Sequence, residues 1–197
     1  MVDTPAPTES DAPGASRTDF HLGVTVAIVA ALVAIVDLVN GHVGNDEQVA
    51  VAEKVSAYAW FQSKGIKEAV AASERDTLHA LLDAGAVDDA HRSGVEKVAQ
   101  RAAADAVRYE GEKSAILEGG VIDGKPIVGA RAIEARAAAL NRTGDVLDIG
   151  ELFLHLALLL GGVGVAVSHK GFERAVLGLV VSLGALGVGV AVYAILR

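Results

Sequence analysis

The sequence contains no cysteine, which excludes a disulfide framework, a thiolate metal site and a cysteine nucleophile. Aromatic residues make up only 4% of the chain, with a single tryptophan, so packing must rest on Ala, Gly and Val. Proline is scarce too: Pro5, Pro7 and Pro13 fall in the first stretch, and Pro126 is the fourth. From Asp46 to Lys125 no proline breaks a helix. Basic residues number 17 against 25 acidic ones, and nowhere do they form a polybasic run. A net charge of -8 without a basic footprint excludes nucleic acid as a partner. Also missing are a G-x-S-x-G elbow, a Walker loop, an H-E-x-x-H helix and a G-x-G-x-x-G turn, so the chain does not read as an enzyme and no cofactor is expected.

Charge itself is absent from three stretches, Leu22–Val36, Leu152–Ser168 (apart from His155) and Ala175–Leu196, although 21% of the chain is charged. About 20 apolar residues of helix cross the hydrocarbon core of a bilayer. Three such stretches together predict transmembrane helices over 21–40, 148–168 and 175–197. Residues 1–20, with three prolines and four acidic groups, read as a disordered acidic tail. They lack the basic n-region of a signal peptide, so the first apolar segment is expected to be retained. The loop 169–174 carries Lys170 and Arg174, and short loops rich in Lys and Arg stay in the cytoplasm. The tail is accordingly placed in the cytoplasm and the middle region outside it.

That middle region, 41–118, is rich in Ala, Glu, Lys and Leu and reads as an antiparallel helical hairpin. On its first helix Val55, Ala59, Gln62, Ile66, Ala69 or Val70, Ser73, Thr77 and Leu81 recur every three or four residues and mark one face, mostly of small residues that let a partner approach closely. Gly85 and Asp88 supply a stop and a cap. On the second helix Val95, Ala99, Ala102, Ala106, Tyr109 and Ile116 repeat the spacing. The heptads are imperfect and fall short of a strict coiled coil. Val121-Ile122 and Ile127-Val128 flank Asp123-Gly124, a dipeptide that tolerates positive φ, which predicts a small β-ribbon over 119–129. A short helix and a turn at Arg142-Thr143-Gly144 complete 130–147. The fold class is thus an all-α membrane protein: three transmembrane helices, an extramembrane helical hairpin and a β-ribbon insertion.

One block carries a resemblance. Gly41 and His42 follow the first apolar span, and Tyr58, Trp60, Phe61, Gln62, Lys64, Ile66 and Lys67 follow on the next helix. Together with Arg108, Tyr109 and Glu110 they resemble domain-of-unknown-function family 4337. The order of Trp60 and its aromatic neighbours departs from the family pattern, and the ribbon looks like an addition. The resemblance implies a bacterial integral membrane protein of the inner membrane and supplies no activity.

Three groups of residues are candidate sites. The ends of spans one and two meet the membrane on the same side, bringing Asp37, Asn40 and His42 to the depth of Asp148, Glu151 and His155. Positions 148, 151 and 155 share one helical face. Two carboxylates with imidazoles suit a divalent cation or a proton relay; mutual pairing or contact with interfacial water is the other reading. Tyr58, Trp60 and Phe61 concentrate the scarce aromatic bulk and form a candidate partner surface. Small residues four apart, including Gly162, Gly164, Gly178, Ser182, Gly187 and Gly189, suit close helix packing within the bundle or between subunits. Two functions follow. The first is a structural or accessory protein whose hairpin mediates self-association (a homo-oligomer) or binds a partner membrane complex. The second is a small ion or proton conduit built on Asp37, His42, Glu151 and His155. Membrane lipids are partners in either case.

Overall fold

The computed structural model describes residues 17–167 and 170–197. Its elements are α1 (Arg17–Asp83), α2 (Asp89–Glu118), β1 (Gly120–Ile122), β2 (Lys125–Ile127), α3 (Ala130–Ala166) and α4 (Lys170–Leu196). Most of the expected acidic tail, residues 1–16, lies outside the described residues, and from Arg17 the chain is helical. Three of the four helices are long and apolar enough to cross a membrane.

Three boundaries differ from the sequence reading. Helix α1 runs on through Gly41 past the end of the first apolar span, and the turn expected at Arg142-Thr143-Gly144 is helix. A glycine inside a helix costs only about 1 kcal/mol relative to alanine, and the helix-forming residues around each one offset it. The loop expected over 169–174 is likewise helical from Lys170 onward, while residues 168 and 169 lie outside the described residues.

The chain divides into two compact units. The first joins residues up to His42 with Thr143–Arg197, and the second is Val43–Arg142. In the first unit each helix turns a seam of buried residues inward. Leu22, Val29, Val33 and Val36 line it on α1; Leu147, Leu154 and Ala157 on α3; Val176, Val180, Ala191 and Ala194 on α4. The three- and four-residue intervals are those of helices packed side by side. Glycines complete the seam. A Cβ at Gly161 would meet Val26, one at Gly164 would meet Val176 and Leu22, and one at Gly150 would lie 2.9 Å from the Gly187 carbonyl oxygen. Backbone against backbone leaves room for hydrogen and nothing larger.

In the second unit α1 ends in a left-handed Gly85 (φ 66°), and Ala86 N–H donates to the Leu81 carbonyl at 3.1 Å. Asp88 caps α2 by accepting from His91 N–H at 2.9 Å. Ala99, Ala102, Ala106 and Ile116 form the buried face of α2. At its end Gly119 (φ 92°) donates to Ala115, and the strands pair antiparallel with Val121 opposite Pro126. Positive φ at Asp123 (50°) and Gly124 (75°) gives the tight turn that suits a right-twisted ribbon. The two-stranded ribbon is anchored through Ile122, which is buried, and its neighbour is α2.

The face of α1 that the unit covers lies away from the Val55–Leu81 face. Ala50, Ala71 and Leu82 are buried, whereas Val55, Ile66, Val70 and Leu81 are exposed. Ion pairs select the covered face: Lys64 pairs with Glu112 and Glu68 with Lys113 on α2, while Glu53 and Lys54 meet Arg136 and Glu134 on α3. Each partner lies too far along the chain for the periodicity of α1 to reveal it.

Candidate functional site

The polar cluster belongs wholly to the first unit. Asn40, on α1, donates through Nδ2 to Asp148 Oδ1 at 2.6 Å and to Glu151 Oε2 at 3.0 Å, both on α3. One amide thus bridges two carboxylates that would otherwise repel. His155 Nδ1 lies 3.0 Å from the Glu151 carbonyl oxygen and 3.8 Å from its Oε1. Asp37, Glu151 and His155 each offer a ligand atom within 4.8 Å of the others. Asp148 is held by Asn40 but is not in this trio. His42 does not join it either: it is exposed and lies five residues beyond Asp37, about 140° further round the helix.

The helix contacts fix the height of the cluster along α4. Gly150 abuts Gly187 and Ala191, and Leu154 packs on Gly187. Glu151 and His155 are the next residues along α3. Their backbone is therefore level with Gly187–Ala191, five to nine residues before Leu196 closes the charge-free run of α4. At 1.5 Å per residue that is about 7–14 Å inside the run. The sequence puts these groups near the span ends, and the packing sets them beside Gly187–Ala191 of α4. The signal available in the sequence was the glycine seam itself, Gly150–Leu154–Ala157–Gly161–Gly164, which registers α3 against α4.

Of the residues expected to pack helices, Gly164 and Gly187 do so within the unit. Nothing lies within 4 Å of a Cβ built at Gly162, Gly178 or Gly189, and Ser182 is exposed with its hydroxyl donating to the Gly178 carbonyl. At those three glycines no other helix of the described residues comes close. Gly150 and Gly161 also pack closely, against Gly187 and Ala191 and against Val26.

The aromatic trio in the second unit divides. Tyr58 donates its hydroxyl to Glu134 Oε2 at 2.8 Å, and Lys113 Nζ sits 5.8 Å from the Phe61 ring centroid. Trp60 remains exposed. The hydrogen bond to Glu134, then desolvation and the carboxylate charge, raises the Tyr58 pKa above the usual 10.0. Arg108, within 4.8 Å of the Tyr109 ring centroid, has its pKa raised, first by the interaction with Tyr109 and then by Asp105. Opposite the ion-paired face of α1 runs a shallow depression of about 660 Å³, lined by Ile66, Ala69, Val70, Ser73, Thr77 and Leu78 among others.

The family model described as a domain of unknown function (DUF4337) matches residues 19–197, nearly the whole described chain. The chain belongs to the DUF4337 family. No curated protein and no solved structure matches it. The ribbon of this DUF4337 chain falls inside the matched range. So do Asp37, Glu151 and His155 and the exposed face of α1.

Proposed function

We propose that this DUF4337 protein is an integral membrane protein with a structural or accessory role, its extramembrane helices holding copies of the chain together. The first unit crosses the bilayer and the second forms the extramembrane hairpin. One observation carries the reading. The apolar face of α1 (Val55, Ile66, Val70 and Leu81) is exposed, while the polar face is consumed by ion pairs to α2 and α3. Exposed apolar residues along one face of a water-facing helix support association. Copies anchored in one membrane share orientation and height, so equivalent faces meet without a search in three dimensions.

The basic residues Lys170 and Arg174 favour a bacterial inner-membrane topology with the N-terminal tail cytoplasmic and the hairpin extracytoplasmic. Extraction in a mild detergent followed by native mass analysis tests the association. The wild type is expected as a stable assembly, and Ile66→Glu with Val70→Glu as a monomer. A monomeric wild type would overturn the proposal. A conduit is less well supported. The inward seam beyond the polar cluster is apolar (Leu22, Val29, Val176 and Val180), so a polar path would need a second copy.

A further inference from the structure

We propose that Asp37, Glu151 and His155 form a binding site for a divalent transition-metal cation, positioned by Asn40. The inference shares with the preceding reading only that the first unit crosses a bilayer. It does not depend on self-association.

Three observations converge on a cation. First, the donor set is one imidazole and two carboxylates from two helices, with ligand atoms within 4.8 Å of one another. Zinc–ligand distances of about 2.0–2.2 Å put neighbouring donors about 3.4 Å apart. Closing by little more than 1 Å, well within side-chain rotation, completes the site. An imidazole nitrogen beside carboxylates suits Zn²⁺ or Mn²⁺, whereas Ca²⁺ and Mg²⁺ favour oxygen ligands throughout.

Second, negative charge is left uncompensated. Asp37, Asp148 and Glu151 lie together, yet among the described residues no lysine or arginine forms an ion pair with any of them. His155 Nδ1, 3.8 Å from Oε1, is the one ring nitrogen within ion-pair distance of Glu151 among the described residues. Asp37 itself makes no hydrogen bond or ion pair among the described residues.

Third, the site sits about 7–14 Å inside the charge-free run of α4, at hydrocarbon depth once the unit spans a bilayer. Water is scarce there, and exposure of Asp37 means exposure to lipid. Carboxylates in that setting need a bound cation or a proton to remain. The histidine in the set and the converging ligand atoms favour the metal. Asn40 plays the positioning part: its amide fixes the Glu151 carboxylate as an outer-sphere hydrogen bond does in known metal sites.

The test uses the full tag-free chain in mild detergent, stripped of metal with a chelator. Zn²⁺ is titrated by calorimetry, and Co²⁺ by its visible absorption as a report on ligand geometry. One equivalent of Zn²⁺ per chain is expected. Asp37→Asn, Glu151→Gln and His155→Gln should each weaken binding more than about tenfold, and Asn40→Ala by about tenfold, the range for outer-sphere partners. Wild-type melting temperature should rise with Zn²⁺ and fall back with chelator; this readout needs no variant to fold. No saturable binding by the wild type, or unchanged binding in His155→Gln, would overturn the proposal and leave protonated carboxylates as the explanation. Alkaline carbonate extraction of native membranes reports separately whether the chain spans the bilayer, so a failed span and an absent metal site give different results.

Discussion

The sharpest consequence of the seam between α3 and α4 concerns two glycines two residues apart. A Cβ at Gly187 would lie 2.7 Å from Leu154 Cγ and 2.8 Å from the Gly150 carbonyl oxygen; at Gly189 it would meet nothing within 4 Å. Comfortable carbon contacts begin near about 3.5 Å. Gly187→Ala must therefore part the two helices by about 0.7 Å, because the Gly150 backbone cannot rotate away as a side chain can. Overpacking of this kind costs about 1–3 kcal/mol. Both substitutions gain about 1 kcal/mol by replacing a helical glycine with alanine. That gain cancels in the comparison, so Gly187→Ala should be less stable than Gly189→Ala by about 1–3 kcal/mol. For a chain of this size the gap is roughly 3–10 °C in melting temperature. Circular dichroism of both purified variants in the same detergent measures it. Equal melting, or a more stable Gly187→Ala, would refute the close approach of α3 and α4.

Two further outcomes follow from the second unit. Lys64 and Glu112 pair with side chains only 16% and 15% exposed, so Glu112→Gln should destabilise by about 1–3 kcal/mol, because it leaves the little-exposed Lys64 ammonium without its counter-charge. In a double-mutant cycle by denaturant unfolding, adding Lys64→Met should cost less than its own single effect, and strict additivity would argue against the pair. Tyr58 titrates above its usual range because it donates to Glu134. A folded pKa above the unfolded one contributes stability that is present below pH 10 and lost as pH rises through the folded value. Glu134→Gln should thus move the phenolate absorbance step of Tyr58 to lower pH in a Tyr109→Phe, Tyr193→Phe background, and an unmoved step would contradict the hydrogen bond.

Much of the architecture was legible because it rests on local composition. Long charge-free runs announce the three apolar helices, Asp123-Gly124 announces the ribbon turn, and Asp88 announces the cap of α2. The family is legible from the block that begins at Gly41. What stayed hidden depends on partners distant in sequence. Both faces of α1 carry small residues at helical spacing, so Ala50, Ala71 and Leu82 could not be told from Val55, Ile66 and Val70 until Glu112, Lys113 and Glu134 were in place. The continuity of α1 and α3 was hidden for a different reason. A glycine weakens a helix without ending it, and no proline stands near Gly41 or Gly144 to force the break. In the polar cluster the residue types were legible, but its membership was not. Five residues of separation turn His42 away from Asp37, while Asn40 turns toward α3 and bridges Asp148 and Glu151.

The absence of native cysteine makes the association face directly measurable, since any introduced thiol is the only one in the chain. Ile66→Cys, Val70→Cys and Ser73→Cys lie on the exposed face of α1, and Ala104→Cys lies at an exposed position on α2. Oxidation in native membranes should give disulfide-linked dimers from the three α1 variants and none from Ala104→Cys. Monomers throughout, or dimers in equal yield from both helices, would contradict self-association through the α1 face.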